Sequence, residues 1–464
     1  MELFVQSSLD ALKSILDADC LLTDNDSLQQ YGKDWTNNYS ISPLAIAFPK
    51  TTDQVAEIVR WANKNQVALV PSGGRTGLSG GAVASNHELV VAFDKMNQIE
   101  NFEQSTQQVT CQAGVITEQL QQFAMDNDLY YPVDFASSGS SQIGGNIATN
   151  AGGIKVIRYG LTRDWVMGLT VVTGKGDILN LNSGLIKNAT GFDLRHLFIG
   201  SEGILGFITE ATIKLTRQPT SLTVLLLAIP ELEKVKTLLN LFQKDIELTA
   251  FEFFSDKAME KVMKHHNLPR PVESEAPFYC LLEFDATSEE IIERALSCFE
   301  SGLEDEAILN GVMSQSQQQA DELWKYREYI SETISSRKPY KNDIAVTPDK
   351  VSDFLHKVDS IVSEHYPAFE VIWFGHIGDG NLHLNILAPE DMEYKDFISA
   401  CEKVNPLIFS ELQKMGGSIS AEHGVGLLKK PYLSYSRSEQ EIAYMQGIKL
   451  AFDPNNIMNP GKVF

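Results

Sequence analysis

The stretch PSGGRTGLSGG, Pro71–Gly81, decides the fold, because it follows a short apolar strand and places five glycines in eleven residues. Such a loop can aim successive backbone N–H groups inward and form an anion nest suited to a pyrophosphate. Taken alone, the segment is also compatible with a mobile surface loop. The motifs G-x-G-x-x-G and G-x-x-x-x-G-K-[ST] are absent from the chain, which disfavours a Rossmann fold and a P-loop kinase.

Two further segments rich in glycine follow. They are SGSSQIGGNIATNAGGIKVIRYG (Ser138–Gly160) and NATGFDLRHLFIGSEGILGFITEATIKL (Asn188–Leu215). Clustered glycine indicates backbone brought close to a ligand. The segment Ser138–Gly160 also offers polar groups that could hydrogen-bond ring edges and phosphate, namely Ser140, Gln142, Asn146 and Thr149.

Composition narrows the class of protein. The chain has 464 residues, a net charge of −23 and 43% hydrophobic residues, so a nucleic-acid partner is disfavoured on electrostatic grounds. No apolar run approaches the roughly 18 residues that cross a bilayer. Five scattered cysteines argue against a disulfide framework or an iron–sulfur cluster. The amino terminus lacks the pattern of a targeting leader, so we expect a cytoplasmic protein.

The pattern of apolar residues predicts three segments. Residues 1–218 alternate short strands and helices, including a capped helix after Thr51 with an apolar face at Val55, Ile58, Val59 and Ala62. Residues 219–425 read as an α/β domain of antiparallel character. Residues 426–464 are expected to pack back on the first domain.

Two short motifs hold three of the nine histidines, GHIGDGNLHLN (Gly375–Asn385) and SAEHGVG (Ser420–Gly426). The first reads as strand, turn, strand, with His383 and Asn385 on one face of the second strand. The turn can fold His376 back beside His383, and Glu422 can add a carboxylate. Three such ligands leave positions open for substrate, as in a catalytic metal site. Satisfied core histidines are the alternative interpretation.

A predicted helix over Ala320–Ile334 carries Arg327 and Ser331 four residues apart on one face, and Lys341 follows in a predicted loop. An exposed amphipathic helix normally carries such residues, so they indicate little by themselves.

In this order the three glycine loops resemble the FAD domain of the vanillyl-alcohol-oxidase flavoprotein superfamily, and more narrowly its D-lactate and D-2-hydroxyglutarate dehydrogenase branch. The resemblance extends from about Ser42 to the carboxyl terminus. It implies an α+β fold, with a two-part FAD-binding domain and an α/β substrate (cap) domain built on an antiparallel sheet. The terminal FDPNNIMNPGK (Phe452–Lys462) also matches, and implies a tail that returns to the flavin domain.

By this resemblance the FAD contacts lie in the three loops and the tail. They are Pro71, Gly73, Gly74, Arg75, Thr76, Gly77, Ser79, Ser138, Gly139, Gly145, Asn146, Thr149, Gly152, Ile208 and Asn459. Some members attach FAD through a histidine of the first loop. Pro71–Gly81 contains neither histidine nor cysteine, so we expect dissociable FAD.

The resemblance also assigns roles to the second set of motifs. His376, His383 and Glu422 correspond to ligands of a divalent metal, for which we expect zinc, and Asn385 and His423 face the substrate. A substrate-carboxylate clamp corresponds to Arg327, Ser331 and Lys341. Family members carry threonine at the Ser331 position, and serine keeps the hydroxyl group.

These roles imply an FAD- and metal-dependent dehydrogenase that converts D-2-hydroxyglutarate to 2-oxoglutarate, with D-malate as a further substrate and His423 as general base. An unpaired second carboxylate would be costly to bury, and the clamp provides for it. A D-lactate dehydrogenase of the same fold and a flavin- and metal-binding protein without turnover are the alternatives. The expected electron acceptor is an electron-transfer flavoprotein or a quinone rather than NAD, and a homodimer is one assembly that we consider.

Overall fold

The computed structural model describes residues 9–36 and 38–464, and within them the chain forms two compact units. The first unit takes in the chain up to Gly152, together with Leu161–Gln218 and Glu422–Phe464. The second unit contains Gly153–Gly160 and Pro219–Ala421. Residues 1–8, where the sequence predicts no targeting leader, lie outside the described residues.

Short strands and helices alternate along the described chain. The strands are β1 Leu21–Leu22, β2 Ala45–Ala47, β3 Leu69–Ser72, β4 Leu89–Ala92, β5 Ile99–Glu103, β6 Gln108–Gln112, β7 Leu129–Tyr130, β8 Val166–Thr173, β9 Ile178–Leu181, β10 Gly206–Lys214, β11 Thr216–Arg217, β12 Leu222–Ile229, β13 Leu248–Ser255, β14 Phe278–Asp285, β15 Asn310–Met313, β16 Tyr340–Ala345, β17 Glu370–Gly375 and β18 Asn381–Leu387. The helices are α1 Asn25–Tyr31, α2 Thr52–Asn65, α3 Thr117–Met125, α4 Ile143–Thr149, α5 Val156–Tyr159, α6 Thr162–Trp165, α7 Arg195–Phe198, α8 Glu233–Asp245, α9 Asp256–His266, α10 Glu289–Glu304, α11 Gln317–Glu328, α12 Ile330–Ser335, α13 Val351–His365, α14 Tyr394–Lys414 and α15 Glu439–Phe452. Among these helices, none is both long and apolar enough to span a bilayer.

Helix α2 forms where the sequence predicts it. The Thr51 hydroxyl accepts a hydrogen bond from the Gln54 backbone N–H at 3.2 Å, which satisfies one N–H of the first turn. The Gln54 side-chain oxygen accepts a hydrogen bond from the N–H of Lys50 at 2.7 Å. The predicted apolar face is fully buried, and it comprises Val55, Ile58, Val59 and Ala62.

Within the described residues, the first unit contains a four-stranded sheet (β1-β2-β4-β3), a five-stranded sheet (β5-β6-β10-β8-β9) and a strand pair (β11-β7). Both β2 and β3 run parallel to β4, and β3 leads directly into the loop that begins at Gly73. The carboxyl-terminal segment lies along β3. Leu69 donates its N–H to the Ile457 carbonyl at 2.7 Å, and Asn459 donates to the Leu69 carbonyl at 2.8 Å.

The second unit is built on a seven-stranded sheet in the order β15-β12-β14-β13-β17-β18-β16, in which every neighbouring pair is antiparallel. Helices α9, α11 and α12 contribute to the apolar cluster that includes Phe254, Tyr279 and Phe374 of the sheet. Helices and sheets combined in this way confirm the α+β class.

The division of the chain differs from the predicted domains at two places. Residues 153–160 belong to the second unit, and the first unit resumes at Glu422 rather than at residue 426. The physical reason for the first difference is a buried ion pair between Lys155 and Glu283, with Ile154 packed against the apolar cluster. Nothing in the local sequence indicates that pairing, because Lys155 and Glu283 are 128 residues apart.

Two local predictions differ from the structure. The expected helix Ala320–Ile334 is divided at Tyr329 (φ −75°, ψ −6°) into α11 and α12, because the backbone of Tyr329 stays in the right-handed region but its ψ is less negative than in a regular α-helix. Lys341, expected in a loop, lies on β16. The strand YKNDIA has little apolar alternation and owes its extended form to pairing with β18.

Candidate functional site

The loop after β3 lies against the segment that begins at Ser138. A side chain on Gly74 would place its Cβ 2.2 Å from the Ser140 carbonyl oxygen, so the two segments approach too closely for any other residue. The Arg75 guanidinium lies at 2.9 Å from an Asp94 carboxylate oxygen and over the Tyr31 ring. The Arg75 side chain therefore supports the loop.

A cavity in the first unit is lined by most of the predicted FAD contacts. Those that line it are Pro71, Gly73, Gly74, Arg75, Thr76, Gly77, Ser79, Gly145, Asn146, Thr149 and Ile208. The structure does not bring Ser138, Gly139, Gly152 or Asn459 to the lining. His423, which was predicted to face substrate, lines the same cavity.

Sequence reasoning did not list the other residues of this wall as cofactor contacts. They are Asp34, Gly81, Ala82, Phe93, Ala113, Gly144, Ala148, Ser201, Glu202, Gly203, Gly206 and Phe207, whereas Gln142, named above as a polar group for ring edges and phosphate, also lines the cavity. Many of them have small side chains and belong to the quoted glycine segments. That composition was the signal available for finding them.

The cavity has two features that call for a bound molecule. Gln142 Oε1 is buried without a hydrogen-bond partner among the described residues, and an unpaired buried acceptor is costly. A Cβ on Gly145 would meet no atom within 4 Å, so a side chain at this position would project into open space. The flavin and adenine rings of FAD carry donors for such an acceptor, and their flat faces suit a glycine-lined wall, so the residues fit FAD.

Glu202 is the most informative residue that the sequence analysis missed. Its buried carboxylate accepts hydrogen bonds from the N–H groups of Val425 (2.7 Å) and Gly426 (2.8 Å). Burial raises the pKa of Glu202 to about 6, although those two hydrogen bonds oppose the shift. Ser79 holds the same stretch by donating to the carbonyl oxygens of His423 (3.0 Å) and Gly424 (2.9 Å).

Asn459, a predicted FAD contact, is not among the residues that line the cavity. Its side-chain amide donates to the carbonyl oxygens of Gly81 (2.9 Å) and Glu202 (2.8 Å), and it is fully buried. It therefore connects the carboxyl-terminal segment to Gly81 and Glu202 of the cavity wall without lining the cavity itself.

The second unit gathers its predicted site residues on one face of the sheet. His383 and Asn385 of β18 lie opposite Asp343 and Lys341 of β16, respectively. Directly opposed residues have Cβ atoms about 5 Å apart, so these four side chains are neighbours. His383 Nδ1 lies 3.8 Å from Asp343 Oδ1, beyond hydrogen-bond distance.

His376 and Arg327 meet at a carboxylate that the sequence analysis did not single out. His376 Nδ1 lies 2.8 Å from Glu252 Oε1, and Arg327 Nη2 lies 2.8 Å from Glu252 Oε2. The rings of His376 and His383 are 5.3 Å apart and almost perpendicular. The turn thus brings the two histidines together.

The clamp residues of the second unit differ in their surroundings. The Arg327 guanidinium lies over the Phe374 ring at 4.8 Å, and its Nε is buried with no hydrogen-bond partner among the described residues. Burial lowers the pKa of Lys341. Ser331 is half-buried on α12.

Glu422 and His423 are assigned to the first unit. A Glu422 carboxylate oxygen lies 3.6 Å from His423 Nε2. Ala421, the preceding residue in the chain, belongs to the second unit and donates its N–H to Asp343 Oδ2 at 3.0 Å.

Two family models match the chain. An "FAD binding domain" covers residues 43–182, and "FAD linked oxidases, C-terminal domain" covers residues 218–463. The chain is 61% identical to D-2-hydroxyglutarate dehydrogenase of Stutzerimonas stutzeri, over 98% of each protein. It is 36% identical to a putative mitochondrial D-lactate dehydrogenase of Schizosaccharomyces pombe, over 97% of this chain and 87% of that protein.

A solved structure shares the fold at low sequence identity. The 4-ethylphenol oxidase of Gulosibacter chungangensis aligns with a TM-score of 0.77 at 15% identity, over 99% of this chain and 97% of that one. The predicted fold of a two-part FAD-binding domain with an antiparallel substrate domain is thereby confirmed.

Proposed function

Because the chain belongs to the D-2-hydroxyglutarate dehydrogenase family of FAD-linked oxidoreductases, we propose that it oxidises D-2-hydroxyglutarate to 2-oxoglutarate. The observation that carries the choice of a diacid is the pair of cationic side chains in the second unit, the buried Arg327 and the half-buried Lys341. D-malate, a shorter diacid, is the further substrate that we propose.

The charges of the second unit favour a substrate with two carboxylates. Glu252 balances the charge of Arg327, yet the buried Nε–H of Arg327 has no acceptor among the described residues. No described carboxylate pairs with Lys341, and the lowered pKa of its ammonium group reflects burial alone. A distal carboxylate would supply acceptors to both groups, whereas a methyl group would leave them unsatisfied.

FAD, when bound, supplies the acceptor for the hydride from C2 of the substrate. We propose that the loop Pro71–Gly81 holds its pyrophosphate through backbone N–H groups, and that Gln142 satisfies its Oε1 on a ring or ribose donor. With no histidine or cysteine in that loop, acid precipitation should release yellow FAD into the supernatant. Flavin that stays on the precipitated protein would contradict non-covalent binding.

We propose that His376, His383 and Glu422 hold a divalent metal, with zinc expected. Such an ion would act as a Lewis acid toward the substrate hydroxyl and carboxylate. Support comes from the two adjacent histidine rings and from the Ala421 N–H bond to Asp343, which fixes the backbone immediately before Glu422. Asn385 and His423 are the proposed substrate contacts, and His423 would take the hydroxyl proton.

A panel of D- and L-2-hydroxy acids with an artificial electron acceptor tests this proposal. We expect the highest kcat/KM for D-2-hydroxyglutarate, a lower value for D-malate and little turnover of L-isomers. A preference for D-lactate would instead support a D-lactate dehydrogenase, the activity for which the Schizosaccharomyces pombe relative is named. Failure of every hydroxy acid to bleach the flavin anaerobically would mean a binding protein without turnover.

For the partner that reoxidises the flavin, we propose an electron-transfer flavoprotein or a quinone, acting on a cytoplasmic enzyme. Assays with each acceptor and with NAD, at fixed D-2-hydroxyglutarate, distinguish these. Turnover with NAD alone would overturn the proposal. Sedimentation of the purified protein tests the homodimer.

A further inference from the structure

Glu252 is a charged residue within an apolar strand, LTAFEFFS (β13), every residue of which is buried. Only 1% of Glu252 is exposed. An isolated buried carboxylate costs several kcal/mol, so such a residue persists only where its oxygens are paired.

Each oxygen of Glu252 has a different partner. Oε1 lies 2.8 Å from His376 Nδ1, and a carboxylate can only accept, so Nδ1 carries the hydrogen. In the neutral ring, the lone pair is then on Nε2, the atom through which His376 would bind a metal. A carboxylate on the remote nitrogen of a ligating histidine fixes the tautomer and the ring orientation.

The other oxygen holds the guanidinium of the clamp. Arg327 Nη2 forms an ion pair with Oε2 at 2.8 Å, although the contact lacks hydrogen-bond geometry, and the Phe374 ring covers the guanidinium plane. An ion pair at one edge and a ring over one face leave the guanidinium little freedom to rotate. Its buried Nε–H is thereby kept in one direction.

We propose that Glu252 is a positioning residue that orients His376 and Arg327 together, and so links the metal site to the recognition of the distal carboxylate. The inference rests on the proposed function. It assigns a role to a residue that the sequence analysis did not single out.

The charge state of Glu252 matters because both of its partners are donors. Glutamine offers one acceptor oxygen and one NH₂ group. It can accept from His376 or from Arg327, and its NH₂ group would then face the other donor. The guanidinium is charged and is therefore the stronger of the two donors, so we expect it to keep the amide oxygen. Glu252→Gln should then release His376 while changing the side-chain volume very little.

The experiment compares Glu252→Gln with Glu283→Gln in the FAD-loaded full chain. Glu283 is a matched control, because it is buried on the neighbouring strand and paired with Lys155, and it contacts no predicted ligand. Zn²⁺ affinity is measured by competition with a chelator. We expect Glu252→Gln to weaken Zn²⁺ binding 10- to 100-fold, as loss of an outer-shell partner typically does, and to raise KM for D-2-hydroxyglutarate.

The control variant should lose thermal stability yet keep wild-type Zn²⁺ affinity and KM. Both variants should retain full FAD content. Equal Zn²⁺ affinities in the two variants would overturn the proposal.

A second pair covers the case in which Glu252→Gln does not fold. Arg327→Met removes the cation, so that neither Gln nor Met at position 252 leaves an unpaired charge buried. In that background Gln can still accept from His376 Nδ1, whereas Met cannot. We expect Zn²⁺ to bind at least about tenfold more tightly to Glu252→Gln/Arg327→Met than to Glu252→Met/Arg327→Met. Equal affinities would overturn the inference.

Zn²⁺ binding and turnover of the wild-type enzyme distinguish a failure of the proposed metal role from a failure of the proposed role of Glu252. If it binds no Zn²⁺ and turns over without it, the metal part of the proposed function fails, and this inference fails with it. If it requires Zn²⁺ but the variants keep its affinity, only the inference fails.

Discussion

The candidate sites of the two units are built by opposite means. In the first unit glycine and alanine are frequent in the cavity wall, and neither Gly74 nor Gly145 has a side chain that would clash with a neighbour or enter the cavity. In the second unit His383, Asn385 and Lys341 lie side by side on two strands. Their side-chain nitrogen and oxygen atoms are the groups to which the proposed function assigns roles. Adding atoms should therefore damage the first unit, and removing atoms should damage the second.

The largest effect is expected from His383→Ala. Loss of a metal ligand removes both substrate orientation and Lewis-acid polarisation, so kcat should fall at least about 10³-fold. The flavin absorption spectrum should change little, because His383 is not among the residues that line the cavity of the first unit. Chelation should have the same result. Full turnover after verified metal removal would contradict the proposed metal role.

Arg327→Ala should have the next largest effect. A charged hydrogen bond contributes roughly 1.5–3 kcal/mol, so kcat/KM for D-2-hydroxyglutarate should fall at least about tenfold. The loss for D-lactate should be much smaller, because lactate has no distal carboxylate. Since Glu252 would lose its ion-pair partner, thermal stability has to be recorded in parallel. Equal losses on both substrates would mean that Arg327 supports the fold instead.

The raised pKa of Glu202 predicts that the free energy of unfolding of the first unit depends on pH. The Glu202 pKa of about 6 exceeds the ordinary glutamate value of 4.5, so between these values the folded protein binds more protons than the unfolded chain. The free energy of unfolding should therefore fall as pH rises through this window, by about 2 kcal/mol. Urea titrations of the FAD-free protein at about pH 4.5 and about pH 6.5 measure the change. Glu202→Gln lacks this titration, and parallel curves for the two proteins would refute the assignment.

The smallest effect is expected from the addition of one methyl group, at Gly145. Gly145→Ala meets no atom in the FAD-free protein and replaces a helical glycine, so stability should stay the same or rise by up to about 1 kcal/mol. FAD affinity should nevertheless fall by about tenfold, or about 1.4 kcal/mol, because the methyl group enters the cavity. Gly447→Ala is the control, since Gly447 is also helical with no atom nearby and does not line the cavity. Equal FAD affinities in the two variants would break the comparison between the units.

Local signals explain what the sequence could predict. Helix α2 and strand β18 follow from apolar periodicity, and the cavity wall follows from clustered glycine, since these are properties of neighbouring residues. Lys341 was placed in a loop because β16 becomes a strand only through pairing with β18. Partners distant in the sequence were likewise beyond the reach of local patterns.

The charged residues that were missed show the same limit. Glu252 stands alone in an apolar strand, which was a visible signal, but its partners lie 75 and 124 residues away. Glu202 was quoted within a glycine segment, yet its partners Val425 and Gly426 come from the end of the chain. A buried carboxylate can be suspected from sequence, but its partners cannot.

The chain leaves the first unit after Gly152, returns at Leu161, leaves again after Gln218 and returns at Glu422. During synthesis on the ribosome, residues up to 218 therefore emerge about two hundred residues before Val425, Gly426 and Asn459. These three later residues donate hydrogen bonds to the earlier part of the first unit. Domains usually fold as units during synthesis, but here the first unit must wait for the last forty or so residues. A fragment ending at residue 218 would leave Glu202 without these donors, so the first unit cannot be obtained by a single cut in the gene.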